Sequence, residues 1–163
     1  METCSVTKSA QTIQPPNTLR LKVGGGFGGI DASAIAQAEE ALKAMSAQFA
    51  GWLQDEIDKM EAARAAIRAE GWNAKTAEGL YFRAHDLKGL GGTYQYPLVT
   101  RLAASLCRMI DDPTTRLAAP LPLIDAHIDA IKAVVRDGIQ TDEHPTGGAL
   151  AQELEAQVAR LGA

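Results

Sequence analysis

The sequence predicts an all-α protein, an antiparallel four-helix bundle with additional terminal helices. Three observations lead to this fold class. Apolar residues recur at helical spacing from residue 35 to residue 161. Aromatic residues make up only 5% of the chain, whereas alanine and leucine are abundant, as is typical of helices. Outside residues 19–23, no stretch shows the alternating pattern of a strand.

Length, charge and cysteine content narrow the class of protein. The 163 residues suit one domain with a sizeable core. The net charge of −4 argues against a nucleic-acid partner. No run is apolar and long enough to cross a membrane, and the start lacks a signal-peptide pattern, so we expect a cytoplasmic protein. Cys4 and Cys107 predict neither a disulfide framework nor a metal site, and Cys107 is interpreted as a small core residue.

Residues 1–30 are predicted to form a flexible tail, because prolines and glycines interrupt them and their apolar content is low. A strand-like run at 19–23 is followed by Gly24-x-Gly26-x-x-Gly29, which formally matches the dinucleotide-binding fingerprint. A Rossmann fold needs further parallel strands, and the rest of the sequence offers none. A flexible glycine linker is therefore the preferred interpretation.

Residues 31–138 are predicted to contain the bundle. A first helix begins at a cap on Asp31 or Ser33 and continues to Gly71, which reads as a C-terminal cap. At about 60 Å it would be too long for its neighbours, so we expect a bend near residues 46–51 or an overhang. Its apolar stripe is interpreted as core: Ile35, Ala38, Leu42, Met45, Phe49, Trp52, Leu53, Ile57, Met60, Ala63 and Ile67.

The remaining helices follow at short intervals. The second starts near 74–76 and fades at 93–96, and the third begins at Pro97, whose missing N–H costs nothing in a first turn. The fourth closes near Gly138. Residues 139–163 are predicted to be a linker, centred on 144–148, and a short C-terminal helix.

The second helix places His85 away from its apolar side. At 100° per residue one side carries Leu80, Ala84, Leu87, Gly91 and Tyr94. His85 points to the opposite side, where Lys88, Gly89 and Gly92 lie within two turns. Glycine in a helix interior costs about 1 kcal/mol relative to alanine. Bare backbone beside His85 therefore suits close approach by another molecule, and the alternative is that the glycines mark the end of the helix.

The histidines do not form a metal site or a catalytic triad in the sequence. None has Glu three residues before it, as carboxylate sites in helical bundles require. His127 is interpreted as an edge or satisfied core residue and His144 as a loop residue. Ser105 and Thr93 show no triad pattern with His85. The imidazole of His85 itself remains as a nucleophile, with Lys88 placed to neutralise a phosphoryl group on its nitrogen.

His85-Asp86-Leu87-Lys88-Gly89, followed by small residues, an aromatic and a helix ending Leu106-Cys107-Arg108-Met109-Ile110-Asp111, resembles the histidine-containing phosphotransfer (HPt) domain. The similarity covers roughly residues 45–138. It implies a phosphorelay protein, not an enzyme, that carries a phosphoryl group between receiver-domain aspartates of two-component signalling. His85 would be the phosphoacceptor, Lys88 the stabilising cation and Gly89 the clearance for the partner, and Gly92 matches a position that is usually small.

The partners implied by this resemblance are response-regulator receiver domains or a hybrid histidine kinase. The receiver brings Mg²⁺ and the catalytic groups, so no cofactor or metal is expected on this chain. Two alternatives remain open. One is the phosphoacceptor module of a chemotaxis-type histidine kinase, and the other is a non-catalytic bundle that docks a receiver or kinase.

The chain departs from the family pattern in two places. The family usually has glycine ten residues after the histidine, where this chain has Gln95, and Ile110-Asp111 replaces a usual Leu-Glu. Tyr81, Phe82 and Tyr96 lie within about 60° of His85 in helical projection and, with Gln95, are candidates for partner contact. Packing of Tyr81 and Phe82 against a neighbouring helix is an equal alternative.

Overall fold

A computed structural model describes residues 32–162, and these residues form helices without any strand. The helices are α1 (Ala32–Glu70), α2 (Ala74–Leu90), α3 (Pro97–Ile110), α4 (Leu121–Arg136) and α5 (Pro145–Arg160), with a 3₁₀ turn at Arg116–Ala118. The predicted all-α class is therefore confirmed for this part of the chain. The predicted tail, its glycine motif and Cys4 lie outside the described residues. None of the described helices has both the length and the apolar composition needed to cross a bilayer.

The first helix is longer than the helices that pack against it. α1 has 39 residues, about 58 Å at 1.5 Å per residue, and continues without interruption through residues 46–51. Residues 33–45 are exposed. The next three helices have only 17, 14 and 16 residues and cannot cover the whole of α1. The apolar stripe of α1 is buried only in the C-terminal half of the helix, where its buried members are Leu53, Ile57, Met60 and Ile67.

Trp52 is 48% exposed, so its interpretation as core is wrong. It belongs instead to a surface aromatic cluster with Phe49 and Tyr94, in which its ring centroid lies 5.7 Å from Phe49 and 6.3 Å from Tyr94. The stripe changes from exposed to buried between Trp52 and Leu53, which is fully buried. Ile35, Leu42 and Met45 were also predicted to be core, and they are exposed as well.

From Glu40 onward the chain forms one compact unit. α2 packs on α3, α3 packs on α4 and α5, and α4 packs on α5. α3 therefore packs against three other helices, α2, α4 and α5. Most residues predicted to point inward are buried in these helices: Leu80, Ala84, Leu87, Leu98, Leu102, Leu106, Met109, Ile110, Ile124, Ile128, Ile131, Val134, Leu154 and Val158. Leu161, predicted on the apolar side of the last helix, is 51% exposed.

The start of α5 differs from the sequence prediction of a linker at residues 144–148. α5 begins at Pro145, and His144 is its N-cap residue, whose Nδ1 accepts a hydrogen bond from Gly147 N–H at 3.3 Å. A Cβ on Gly147 would lie 2.7 Å from side-chain atoms of both Leu98 and Ile139. Glycine is thus favoured here because the start of α5 packs closely on Leu98 of α3 and on Ile139 after α4, and not because the segment is a linker.

His127 is a satisfied core residue. Its side chain is fully buried, with Nδ1 2.8 Å from the Leu123 carbonyl oxygen and Nε2 3.0 Å from Ser105 Oγ. Because a carbonyl only accepts, Nδ1–H donates to Leu123, and Nε2 accepts from the Ser105 hydroxyl. Burial is the main cause that lowers the pKa of His127, so the neutral ring is the form suited to the core.

We predict that His127 makes stability depend on pH. Its folded-state pKa lies below the ordinary value of 6.5, so the unfolded chain binds more protons as the pH falls below 6.5. The free energy of unfolding should then decrease by at most about 1.4 kcal/mol per pH unit from this group. Urea unfolding at several pH values should show a smaller decrease for His127→Gln. The His85→Gln variant, which removes an exposed histidine, is the control, and an unchanged slope in His127→Gln would contradict the assignment.

Candidate functional site

A capping box fixes where α2 begins, and the apolar stripe of the helix sets which side faces the core. The Asn73 side chain accepts a hydrogen bond from Thr76 N–H at 3.1 Å, and Thr76 Oγ1 accepts one from Asn73 N–H at 3.1 Å. This capping box satisfies free donors at the helix N-terminus. With the helix in this phase, His85 and Lys88 are exposed, while Leu80, Ala84 and Leu87 are fully buried. The predicted outward orientation of His85 is confirmed.

His85 borders a shallow depression of about 360 Å³ between α2 and α3. Two rows of side chains line it: Tyr81, His85 and Lys88 from α2, and Ala104, Cys107, Arg108 and Asp111 from α3 and the residue after it. Members of each row are mostly three or four residues apart, as neighbours on one face of a helix are. Ala104 and Cys107 are small, so space remains beside the imidazole.

Tyr81 is held in place beside His85 from three directions. The two ring centroids are 6.0 Å apart, and the Arg116 guanidinium lies 4.8 Å from the Tyr81 centroid on another side. Arg116 is itself fixed because it donates to the carbonyl oxygens of Ile110, at 2.6 Å, and Asp111, at 2.9 Å. A hydrogen bond from the phenol to the Asp111 carboxylate raises the pKa of Tyr81. Tyr81 therefore packs against neighbouring elements, as one of the two alternatives expected.

Two cations at the depression have no carboxylate partner. Lys88 and Arg108 are exposed, and within residues 32–162 no carboxylate oxygen lies within 4 Å of either. The neighbouring carboxylate of Asp86 is paired with Arg83 at 3.3 Å. An anion entering the depression would thus meet two positive charges that are not already neutralised by an ion pair.

Cys107 does not supply a reactive thiolate. It is 5% exposed, and burial raises the pKa of its thiol to about 11 against the opposing effect of the nearby Lys88 charge. The thiol is therefore protonated at neutral pH, and a protonated thiol is a poor nucleophile. The interpretation of Cys107 as a core residue is confirmed.

The three glycines after His85 have different surroundings. A Cβ on Gly91 would lie 2.6 Å from Thr100 Oγ1 and 2.8 Å from Thr100 N, so close packing of α3 explains this glycine, as predicted. A Cβ on Gly89 would meet no atom within 4 Å, and one on Gly92 only Thr100 Oγ1 at 3.9 Å. Gly89 and Gly92 therefore border open space on the side of His85.

α2 ends before Gly91 and Gly92, earlier than the sequence predicted. α2 ends at Leu90, so Gly91 and Gly92 lie in the following turn and carry no helix-interior cost. The alternative that these glycines mark the end of the helix is correct for both positions. Neither has a positive φ, so the backbone conformation does not explain them. The absence of a side chain lets Thr100 pack against Gly91 and leaves open space at Gly92.

The other predicted contact residues lie outside the depression. Phe82 is 51% exposed and lies next to Tyr81, with ring centroids 6.0 Å apart. Tyr96 packs partly against the core, and Gln95 is exposed. Gln95 is also the only non-glycine residue within 32–162 that has a positive φ, +64°. The left-handed backbone costs an L-residue about 1–2 kcal/mol and favours glycine.

The sequence interpretation missed Arg108 and Asp111, which line the same depression as His85, and Arg116, which packs on Tyr81. Ala104, Cys107, Arg108 and Asp111 have the spacing of one helix face, which is visible in the sequence. That spacing does not reveal which face of α2 the row meets. Within residues 32–162 no cluster of three or more His, Cys, Asp or Glu side chains is able to hold a metal ion.

Comparison of the chain with protein-family models, with curated proteins and with solved structures found no match.

We predict opposite effects of alanine at Gly91 and Gly89. Gly91→Ala places a Cβ against Thr100 and should lower the free energy of unfolding by about 1–3 kcal/mol. Gly89→Ala enters open space near the helix end and should leave stability unchanged or raise it by up to about 1 kcal/mol. Urea unfolding followed by circular dichroism measures both. Equal losses in the two variants would contradict the close approach assigned to Gly91.

We predict that Gln95→Gly stabilises the protein. Glycine removes the cost of the positive φ at this position, and the free energy of unfolding should rise by about 1 kcal/mol, less a few tenths from greater freedom of the unfolded chain. The matched control is Thr93→Gly in the same turn, where φ is not positive and glycine should destabilise. A lower melting temperature for Gln95→Gly than for the wild type would contradict the assigned turn.

Proposed function

We propose that this protein is a phosphorelay histidine phosphotransfer protein, in which His85 carries a phosphoryl group between receiver-domain aspartates of two-component signalling. The observation that carries the proposal is an exposed imidazole beside the unpaired Lys88, with open space over Gly89. The proposed partners are receiver domains or a hybrid histidine kinase in the cytoplasm. The partner supplies Mg²⁺ and the catalytic groups, so this chain is a phosphocarrier and not an enzyme.

The fold we propose is the antiparallel four-helix bundle of HPt domains, formed by the C-terminal half of α1 with α2, α3 and α4. Buried stripes on all four helices support it. The turn after α2 supports it as well, because Gln95 has a positive φ at the position where HPt domains usually have glycine. The backbone of this turn is thus one that glycine favours, although the sequence has glutamine.

The chemistry needs only one nucleophilic atom from this chain. A neutral imidazole nitrogen of His85 attacks the phosphorus of an aspartyl phosphate, and the bond from phosphorus to the carboxylate oxygen breaks with its electron pair remaining on the carboxylate. The proton on the other ring nitrogen passes to water. Lys88 neutralises charge on the phosphoryl oxygens during and after transfer. The reverse steps deliver the group to another receiver.

The surface around His85 has the character needed for docking a protein. Gly89 and Gly92 leave the backbone accessible, and the half-exposed Phe82 offers apolar area. Gln95 and Tyr96 follow in the adjoining turn. We propose these residues, together with the edge of Tyr81, as receiver contacts.

We predict that His85→Gln abolishes phosphotransfer. The full-length protein is incubated with a panel of phosphorylated receiver domains, and acid-labile, base-stable label on the protein is followed with time. His144→Asn is the matched control, because it removes a second exposed histidine and asparagine is a good N-cap residue. In the same assay Gly89→Leu should slow transfer by on the order of tenfold to a hundredfold, whereas Gly89→Ala should not.

Label that reaches His85→Gln as fast as the wild type would refute the proposal. Label that appears with ATP and a histidine kinase, but never from a receiver, would instead favour the phosphoacceptor module of a chemotaxis-type kinase. Receiver binding without any label, retained in His85→Gln, would favour a docking bundle.

A further inference from the structure

The depression beside His85 receives its positive charge from two different helices. Lys88 follows His85 on α2, and Arg108 reaches the same depression from α3. Arg108 is exposed although its neighbours Cys107 and Met109 are buried, so its side chain lies at the edge of the helix contact. The floor between the two cations is formed by the small side chains of Ala104 and Cys107.

The carboxylates around Arg108 are engaged with other groups. Glu155 is close enough to be influenced by the charge of Arg108, but it accepts two hydrogen bonds from Arg101, at 2.8 and 2.7 Å. Asp111 lies close enough to the Tyr81 hydroxyl to raise the pKa of Tyr81. In the described part of the chain Arg108 therefore has no ion pair, although acidic residues lie near it.

We propose that Arg108 is a second phosphoryl-binding residue, which with Lys88 holds the dianionic phosphoryl group on His85. This inference rests on the proposed function, and it adds a residue that neither the motif nor the helical phase of α2 indicates. A guanidinium presents two parallel N–H donors, which match two oxygens of a phosphoryl group, whereas an ammonium acts as a point charge. The two cations approach from different helices and so restrict the orientation of the group.

The consequence is a specificity for small dianions at this depression. Phosphorylation replaces a neutral imidazole by a ring that carries about two negative charges on its phosphoryl oxygens. Lys88 alone neutralises one of them, and Arg108 neutralises the other. The phosphorylated form should therefore form faster and titrate at lower pH when Arg108 is present.

The test uses phosphoramidate as donor, so that no partner protein is needed. A nitrogen of the His85 imidazole attacks phosphorus, the P–N bond of phosphoramidate breaks, and ammonia leaves as ammonium with the proton that the imidazole gives up. The full-length wild type is compared with Arg108→Gln, Arg108→Lys and Arg160→Gln. Arg160 is a matched control, because it is exposed and within residues 32–162 has no carboxylate within 4 Å, but it lies outside the depression.

We predict that Arg108→Gln forms phosphohistidine slower by on the order of tenfold, the worth of one charge-assisted hydrogen bond. Arg108→Lys should recover only part of the rate, because it keeps the charge but not the two parallel donors, and Arg160→Gln should match the wild type. The phosphorus NMR signal of phosphohistidine should titrate at higher pH in Arg108→Gln only, a change that a purely structural role would not produce.

A wild-type rate together with a wild-type titration midpoint in Arg108→Gln would overturn the inference. Failure of this inference about Arg108 can be distinguished from failure of the proposed relay. An Arg108-dependent reaction with phosphoramidate, without transfer from any receiver, would support the phosphoryl site and refute the relay. Receiver transfer that is equally fast in Arg108→Gln and wild type, with no change in the phosphorus titration, would support the relay and refute the role of Arg108.

Discussion

The close contact between α2 and α3 at Gly91 and Thr100 is the constraint on which the candidate site depends. No side chain larger than hydrogen fits at residue 91, since even a Cβ would lie 2.6 Å from Thr100 Oγ1. Because the two helices meet at this point, the row containing His85 and the row containing Arg108 line a single depression. A larger residue at position 91 would force α2 and α3 to shift against each other at this contact.

Helical periodicity predicted most of the fold because it depends on neighbours along the chain. It identified the buried faces of α2, α3 and α4, and the proline signal at Pro97 agrees with the observed start of α3. It was wrong at Trp52, since periodicity shows which face is apolar and not how far the neighbouring helices extend. It was wrong at residues 144–148 as well, because Gly147 responds to contacts with Leu98 and Ile139 that are distant in sequence.

The candidate site was likewise predicted only in part from the sequence. His85 and Lys88 share one helix, so their common orientation followed from the sequence. Arg108 belongs to another helix, and its position beside His85 depends on how two helices are rotated against each other. The support of Tyr81 by Arg116 depends on a 3₁₀ turn whose arginine is fixed by backbone carbonyls. Local patterns carry no information on such contacts.

The aromatic cluster of half-buried Phe49 and Tyr94 with exposed Trp52 gives the molecule an intrinsic fluorescent probe. The indole of Trp52 is half in solvent and lies 6.3 Å from Tyr94, in the turn that directly follows the His85 helix. The second tryptophan, Trp72, is partly buried and donates its indole N–H to the Leu117 carbonyl oxygen at 3.2 Å. A protein that settles over the turn changes the polarity around Trp52 and leaves Trp72 as an internal reference. Association can therefore be followed by tryptophan emission without attaching a dye.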